Sequence, residues 1–445
     1  VRRMMNVGHV LTGTFANAGI MLVAVAFAAR SLGPEVFGSM VLVLALASTV
    51  ERLVRFESWQ PLIKFVADEE PHASPVRLAR LYGLGLMLDV TTAILAAAVT
   101  VIAALVLHNL FGWTSISPAA AAIYAVAMLF NILGAPIAAL RLAGRFRTVA
   151  YVQLPANIIR ALLAGACLLL DAGLLWFMLA WTIAEVGYRA AALWLGLKAL
   201  QDRGIPNPLH VPLRGLLKDF PGFMSFAWSI NLSTMLRTLT VTADELVVGA
   251  LIGPAAASMY NLAKRAAKFS QEIGTQIQTV IYPELARMWS DKNAHLFRTT
   301  VLNTQLVLTG IGVLIVVTVW VLGHWAIRLG LGEAYLPVYP LLAIQVVAVL
   351  FTLTVAPGRS AMLSMGRHRA LLGISALGTL LFYAILIPGL LLQGPAGASF
   401  AHVVLTFTTA ILIDRQWRRH YRRSPPETFV GRVPEVYRPE VQPSK

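Results

Sequence analysis

Charge is what this chain has least of. Only 13% of its 445 residues are Asp, Glu, Lys or Arg, about half the share found in a soluble domain. Acidic residues are the scarcer sign, 21 against 36 Lys and Arg, which leaves a net charge of +15. Cysteine is almost missing: Cys167 stands alone in an apolar block. That excludes a disulfide framework within the chain and reads as a small packing residue. The nine histidines follow no metal-ligand spacing, and no motif for nucleophilic catalysis or Gly-rich phosphate loop is present. No cofactor and no metal is therefore expected.

Apolar residues are abundant, at 58%, and they come in long blocks. A bilayer core takes about 20 apolar residues per helical crossing. Twelve such blocks lie at roughly 7–29, 36–56, 81–107, 118–140, 149–170, 173–197, 222–250, 255–282, 301–323, 337–358, 370–392 and 395–414. The expected fold class is an all-α polytopic membrane protein with about 12 transmembrane helices. The first block lacks the short core and small-residue cleavage site of a signal peptide, so no cleavable leader is expected.

The positive charge points to a membrane and away from nucleic acid. With the N-terminus inside, the inner connections hold Lys64, Arg77, Arg80, Arg141, Arg145, Arg147, Lys198, Arg203, Arg287, Lys292, Arg298, Arg367 and Arg369, whereas the outer ones hold Arg30 and Arg328. This asymmetry is the positive-inside pattern. It predicts a multi-pass membrane protein with both termini cytoplasmic. The outer connections are very short, which argues against the alternative of a membrane glycosyl polymerase or ligase with its active site outside.

Two long polar connections interrupt the blocks, 57–80 and 198–221. The second carries Pro206, Pro208, Pro212 and Pro221, which break a continuous helix, with Leu213 to Phe220 as a candidate interfacial helix. Six blocks precede it and six follow. Leu32-Gly33-Pro34 and Ile252-Gly253-Pro254 sit 220 residues apart, each after the first block of its half. The division predicted is an N-terminal six-helix bundle over 1–197, a cytoplasmic linker over 198–221 and a C-terminal bundle over 222–414. A basic, Pro-rich tail follows over 415–445, expected to be disordered beyond its juxtamembrane start. Repeats with an even number of spans share one membrane orientation, as in some secondary transporters.

Ionisable residues within spans are costly and mark cavities or partners. In the eighth block Asn261, Lys264, Lys268, Glu272 and Thr275 recur at steps of three and four, and Arg265 widens the stripe. At about 1.5 Å per residue Lys264 falls near mid-bilayer. Three cations within five residues must face water or an anion. In the seventh block Ser229, Ser233, Arg237, Thr240 and Asp244 form a second stripe beside Glu245. Asp244 and Glu245 are expected either to pair with these cations or to bind a coupling ion, and Glu272 is a third candidate for coupling or gating. Arg52 and Arg55 close the second block, where headgroup snorkelling competes with a cavity role. Glu185 and Arg189 are four apart on one helix face, the spacing of a structural ion pair. Arg160 is intramembrane, and Asp89 has no local partner in sequence. Cations outnumber acids in this set, so the two bundles are expected to surround a central cationic cavity suited to phosphate or pyrophosphate.

The turn A-R-S-L-G-P-E-V-F-G-S-M, the stretch R-F-E-S-W-Q-P-L-I-K-F at 55–65, and S-M-Y-N-L-A-K-R-A-A-K-F with V-I-Y-P-E-L-A-R-M at 280–288 carry a resemblance. They resemble the Wzx-type polysaccharide flippases of the multidrug/oligosaccharidyl-lipid/polysaccharide exporter superfamily, over roughly residues 5–415. The resemblance implies two six-helix bundles and a transporter that is not an enzyme. It implies translocation of a polyprenyl-pyrophosphate-linked oligosaccharide, by alternating access, for O-antigen, capsule or exopolysaccharide synthesis. The partners it implies are that lipid-linked glycan, membrane lipids, a coupling proton or sodium ion, and polysaccharide polymerase and assembly proteins. On these positions Lys264, Arg265, Lys268 and Arg52 fall at the cavity, and Arg237 joins them from its stripe. A lipid II-type flippase and an ion-coupled small-molecule exporter are the neighbouring readings. The second of these would want a mostly acidic cavity.

Overall fold

The computed structural model describes residues 2–423 except 57, 71, 72, 111, 112, 211, 213 and 214. Side chains are described apart from those at 2–11, 110, 229, 230, 232–241, 273, 276, 279, 280, 368 and 423. The tail 424–445 and the side chains of Arg2, Arg3, Arg214 and Arg237 therefore lie outside the described residues.

Every regular element described is helical. The order is α1 (Arg2–Val54), α2 (Trp59–Glu69), α3 (Pro75–Leu110), α4 (Pro118–Leu129), α5 (Gly134–Leu142), α6 (Phe146–Tyr151), α7 (Leu154–Leu169) and α8 (Leu174–Gln201). Then follow α9 (Leu216–Asp219), α10 (Phe223–Leu251), α11 (Pro254–Ser290), α12 (Ala294–Gly330), α13 (Val338–Ser364), α14 (His368–Gln393) and α15 (Pro395–Arg423). Among the described residues, eight stretches are long and apolar enough to cross a membrane by length and composition alone. The two arms of α1 count once among them. The second arm, together with α8, α10 and α11, whose internal charges lower their apolarity, brings the crossings to twelve. The chain is an all-α polytopic membrane protein. Its surface agrees: Leu162, Leu169, Trp176, Trp194, Leu306 and Val321 are exposed, a liability in water and the ordinary condition against lipid.

The chain forms two compact units. One takes in 1–269, 318–345 and 383–401, and the other 270–317, 346–382 and 402–445. In the first, the two Gly-Pro corners of the sequence are true turns. Gly33 has φ 69° and ψ 170° and Gly253 has φ 120°, a region that favours glycine. Pro34 and Pro254 open the helices that follow, where a missing N–H costs nothing. The corners also meet: a Cβ on Gly38 would run into the Pro254 carbonyl. Tyr335 closes over the first corner, its hydroxyl donating to the Ala29 carbonyl at 2.9 Å and its ring 6.4 Å from Phe37, edge to face.

The fourth block is not one helix. It breaks between α4 and α5, at residues 130–133, and Asp89 of α3 reaches into the break. The wholly buried Asp89 accepts the Ser58 hydroxyl at 2.5 Å and the backbone N–H of Ala135 at 3.0 Å. It thus caps the start of α5 from another helix, satisfying an amide the break leaves free. Gly134 makes room, since a Cβ there would strike both Ser58 and Asp89. Asp89→Ala is expected to cost about 2–4 kcal/mol, a lost cap plus an orphaned buried hydroxyl. Asp89→Asn, which keeps an acceptor, should cost visibly less. Thermal unfolding of the purified chain in detergent checks the ranking.

On the side of the polar connections, Leu62, Val66, Tyr82, Leu81, Leu216, Phe220 and Phe223 form one buried cluster. The helix expected over Leu213 to Phe220 is a single turn, Leu216–Asp219. Asp219 is held by Arg80. In the second unit Ile281, Leu285, Phe297, Met362, Ile413 and Trp417 form a separate core.

Candidate functional site

Two polar networks run through the first unit at membrane depth. The first starts at Arg55, on the second arm of α1. Its guanidinium donates to Asn131 Oδ1 at 3.0 Å, and Asn131, in the α4–α5 break, donates to Glu51. Arg189 lies 3.1 Å from Glu51 and 3.0 Å from Glu185. It also donates to the Ala127 carbonyl at 2.7 Å, which accepts the Phe130 N–H as well where α4 ends. Glu185 accepts Arg160 of α7 at 2.7 Å, and Arg160 donates to Asn157 at 2.8 Å. Asn157 in turn donates to Asn17 at 2.9 Å. Bases and acids alternate along this line, so every buried charge has an opposite neighbour. Low dielectric demands that, because an unpaired buried ion is costly.

The second network joins α10 and α11. Lys264 Nζ lies 2.6 Å and 2.8 Å from the two carboxylate oxygens of Asp244 and 3.2 Å from Glu245. Asp244 is wholly buried and also accepts the Tyr260 hydroxyl at 2.7 Å. Glu245 accepts the Asn261 amide at 2.9 Å, and Arg265 Nε donates to Asn261 Oδ1 at 2.8 Å. The anion that the stripe of α11 demands is here the protein's own.

The two networks meet at a cavity of about 170 Å³. It is lined by Arg160, Glu185, Glu245, Asn261, Arg265, Tyr124, Trp181 and Ser48, with Met21, Val41, Leu44 and Ala45 as apolar wall. Two arginines from different helices thus face one space. It is smaller than the pockets that enclose drug-sized ligands and holds room for a few waters or one small polar group.

The sequence candidates distribute unevenly around it. Arg265 lines the cavity. Lys264 stands behind it, bound to two carboxylates. Arg52 and Lys268 are exposed and do not line it. Glu272 is half-buried and belongs to the second unit. The side chain of Arg237 lies outside the described residues. Arg160, expected only as an intramembrane cation, and Tyr124 also line the cavity. The signal for Arg160 was its charge within a span, and Tyr124 had none.

The model of a family described as polysaccharide biosynthesis protein matches residues 27–340. The inner membrane protein YghQ of Escherichia coli (strain K12) is 24% identical over 326 residues, which is 72% of this chain and 90% of that one. Among solved structures, the inward-facing conformation of a multidrug resistance MATE family transporter of the MOP superfamily is similar. Its TM-score is 0.73 at 12% identity, over 93% of this chain and 96% of that one. The lipid II flippase MurJ, in an inward closed conformation, gives a TM-score of 0.68 at 12% identity, over 92% of this chain and 87% of that one. At such identities these likenesses establish the fold.

Proposed function

The chain belongs to the polysaccharide biosynthesis protein family, within the transporter fold of the multidrug/oligosaccharidyl-lipid/polysaccharide exporter superfamily, and from that premise we propose that it flips a polyprenyl-pyrophosphate-linked oligosaccharide across the bacterial inner membrane. On this reading it is a transporter, not an enzyme. The lipid tail stays in the bilayer while the charged headgroup passes through the protein. The observation that carries the proposal is the pair Arg160 and Arg265 facing one cavity at membrane depth. A guanidinium fork matches phosphate oxygens, and a pyrophosphate is the part of such a cargo that lipid cannot solvate. Two six-helix bundles, 1–197 and 222–414, joined by 198–221, would rock to change access, with both termini and the tail 415–445 cytoplasmic.

Coupling to a proton or sodium ion falls naturally on Asp244 and Glu245. A cation that takes over these carboxylates would release Lys264 toward the cavity and raise its affinity for an anion. Glu272 is a further coupling candidate by its place on α11, and Lys268 and Arg52 would bind the headgroup once the path opens. Arg237 has the same role in this reading.

The test is direct. Vesicles containing the purified full chain and a fluorescently tagged polyprenyl-pyrophosphate oligosaccharide are treated with an external glycosidase. The protein should make the inner-leaflet half of the glycan accessible within the assay time, and protein-free vesicles should not. No acceleration with this cargo, but acceleration with a lipid II-type cargo or export of a small cation, would overturn the reading.

A further inference from the structure

The second unit carries an anion site that owes nothing to the transport cavity. At the far end of α15 two adjoining hollows share Gln416 and Arg419. The first, about 230 Å³, is lined by Arg367, Trp417 and His420 over a floor of Met362 and Met365. The second, about 630 Å³, adds Arg415, Arg418 and Arg422 and is floored by Leu412. Among the described residues, no acidic one lines either hollow. Asp414 is close by, but it is engaged with Arg418 at 2.7 Å.

The first hollow has a chemical demand. Arg367 sets its Nε 3.2 Å from His420 Nε2 and a terminal nitrogen 2.7 Å from His420 Nδ1. Guanidinium has donors only, and even neutral imidazole carries one N–H. One of these two contacts therefore sets donor against donor, and an acceptor shared by both groups would relieve it. The depth is also telling. About twenty residues from Pro395 cross the core, so Arg415 to Arg422 lie at headgroup level. Trp417 is buried beside them, and Gly358 lets its ring pack close. Arg367 reaches the same level from the turn between α13 and α14. Basic pockets between membrane helices at this depth suit phosphate headgroups.

We infer that this end of the second unit binds a membrane phospholipid with two phosphates, of cardiolipin type. One phosphate sits between Arg367 and Arg419, and the second lies against Arg415 and Arg422. Two hollows joined at Gln416 and Arg419 fit two phosphates linked by a short polar bridge, and the apolar floors receive the start of the acyl chains. The site is built from residues of the second unit alone and shares none with the cavity of the first, so its test does not depend on transport.

Native mass spectrometry of the purified full chain, titrated with cardiolipin, phosphatidylglycerol or phosphatidylethanolamine, reads the site. Cardiolipin should be retained most strongly and phosphatidylethanolamine least. The R367Q/R419Q variant should weaken cardiolipin retention roughly 25-fold, the factor two headgroup contacts supply, while R328Q should leave it unchanged. Because Arg367 packs on His420, R415Q/R419Q, at two exposed side chains, serves if the first variant fails to fold. Equal retention of cardiolipin and phosphatidylethanolamine would overturn the inference. So would unchanged retention in a folded R415Q/R419Q, or a polyprenyl pyrophosphate that displaces cardiolipin at equal concentration.

Discussion

Arg189→Leu should prevent the chain from accumulating in the membrane. Arg189 is buried and serves two carboxylates, Glu51 at 3.1 Å and Glu185 at 3.0 Å, as well as the Ala127 carbonyl. Its removal leaves the two acids unequally placed. Glu185 keeps Arg160 at 2.7 Å, whereas Glu51 loses its ion pair with Arg189 and retains the Asn131 amide. Removing one partner of a buried pair costs about 3–5 kcal/mol, a large part of the stability of an ordinary domain. The cost is one of stranded charge, so neutralising the stranded acid should return much of it. R189L/E51Q is expected to accumulate and to unfold at a higher temperature than R189L. The coupling between the two positions should be about 2 kcal/mol in a double-mutant cycle. R189L/E185Q should recover less, because it also strips Arg160 of its acid. Equal recovery by the two double variants would mean that the line of alternating charges is not the unit of stability.

These networks show what a sequence of this kind discloses. The crossings were legible because a bilayer imposes a length and a polarity on every span, and Gly33-Pro34 and Gly253-Pro254 marked the corners because only such residues turn sharply there. The pairing of Glu185 with Arg189 has a spacing of four within one helix. The partners of Arg160, Asp89 and Lys264 do not. Arg160 meets Glu185 from another helix, and Asp89 meets Ser58 and the Ala135 amide across 31 and 46 residues. The break at 130–133 was hidden because Phe130, Ile132 and Leu133 are as apolar as the helices around them. Only the buried Asn131 departs from that pattern, and its use depends on Glu51 and Arg55 lying opposite. The charge stripes left two roles open for Asp244 and Glu245. The structure shows the pairing, with Lys264.

That balance decides which substitution can report on transport. Lys264→Glu would set a third carboxylate against Asp244 and Glu245 in a buried space, so loss of export would reflect loss of the protein. Arg265 is different. It lines the cavity, and its Nε donates a hydrogen bond to Asn261 Oδ1. Arg265→Gln keeps a side chain able to donate to Asn261 and removes a charge directed at the cargo. Membrane abundance should stay near that of the parent, as read by immunoblot. Export of surface polysaccharide should fall roughly tenfold to a hundredfold, the worth of one charge-assisted contact to phosphate. Arg265→Lys restores charge without the planar fork and should recover only part of the loss. K264M/D244N supplies the contrast, since it removes both partners of a buried pair and leaves Arg265 in place. If the cation of Lys264 joins the cargo only after the carboxylates are occupied, this variant should be stable and still export poorly. Parental export by stable Arg265→Gln would remove the cavity arginine from the mechanism and leave the headgroup path to Arg52, Lys268 and Arg237.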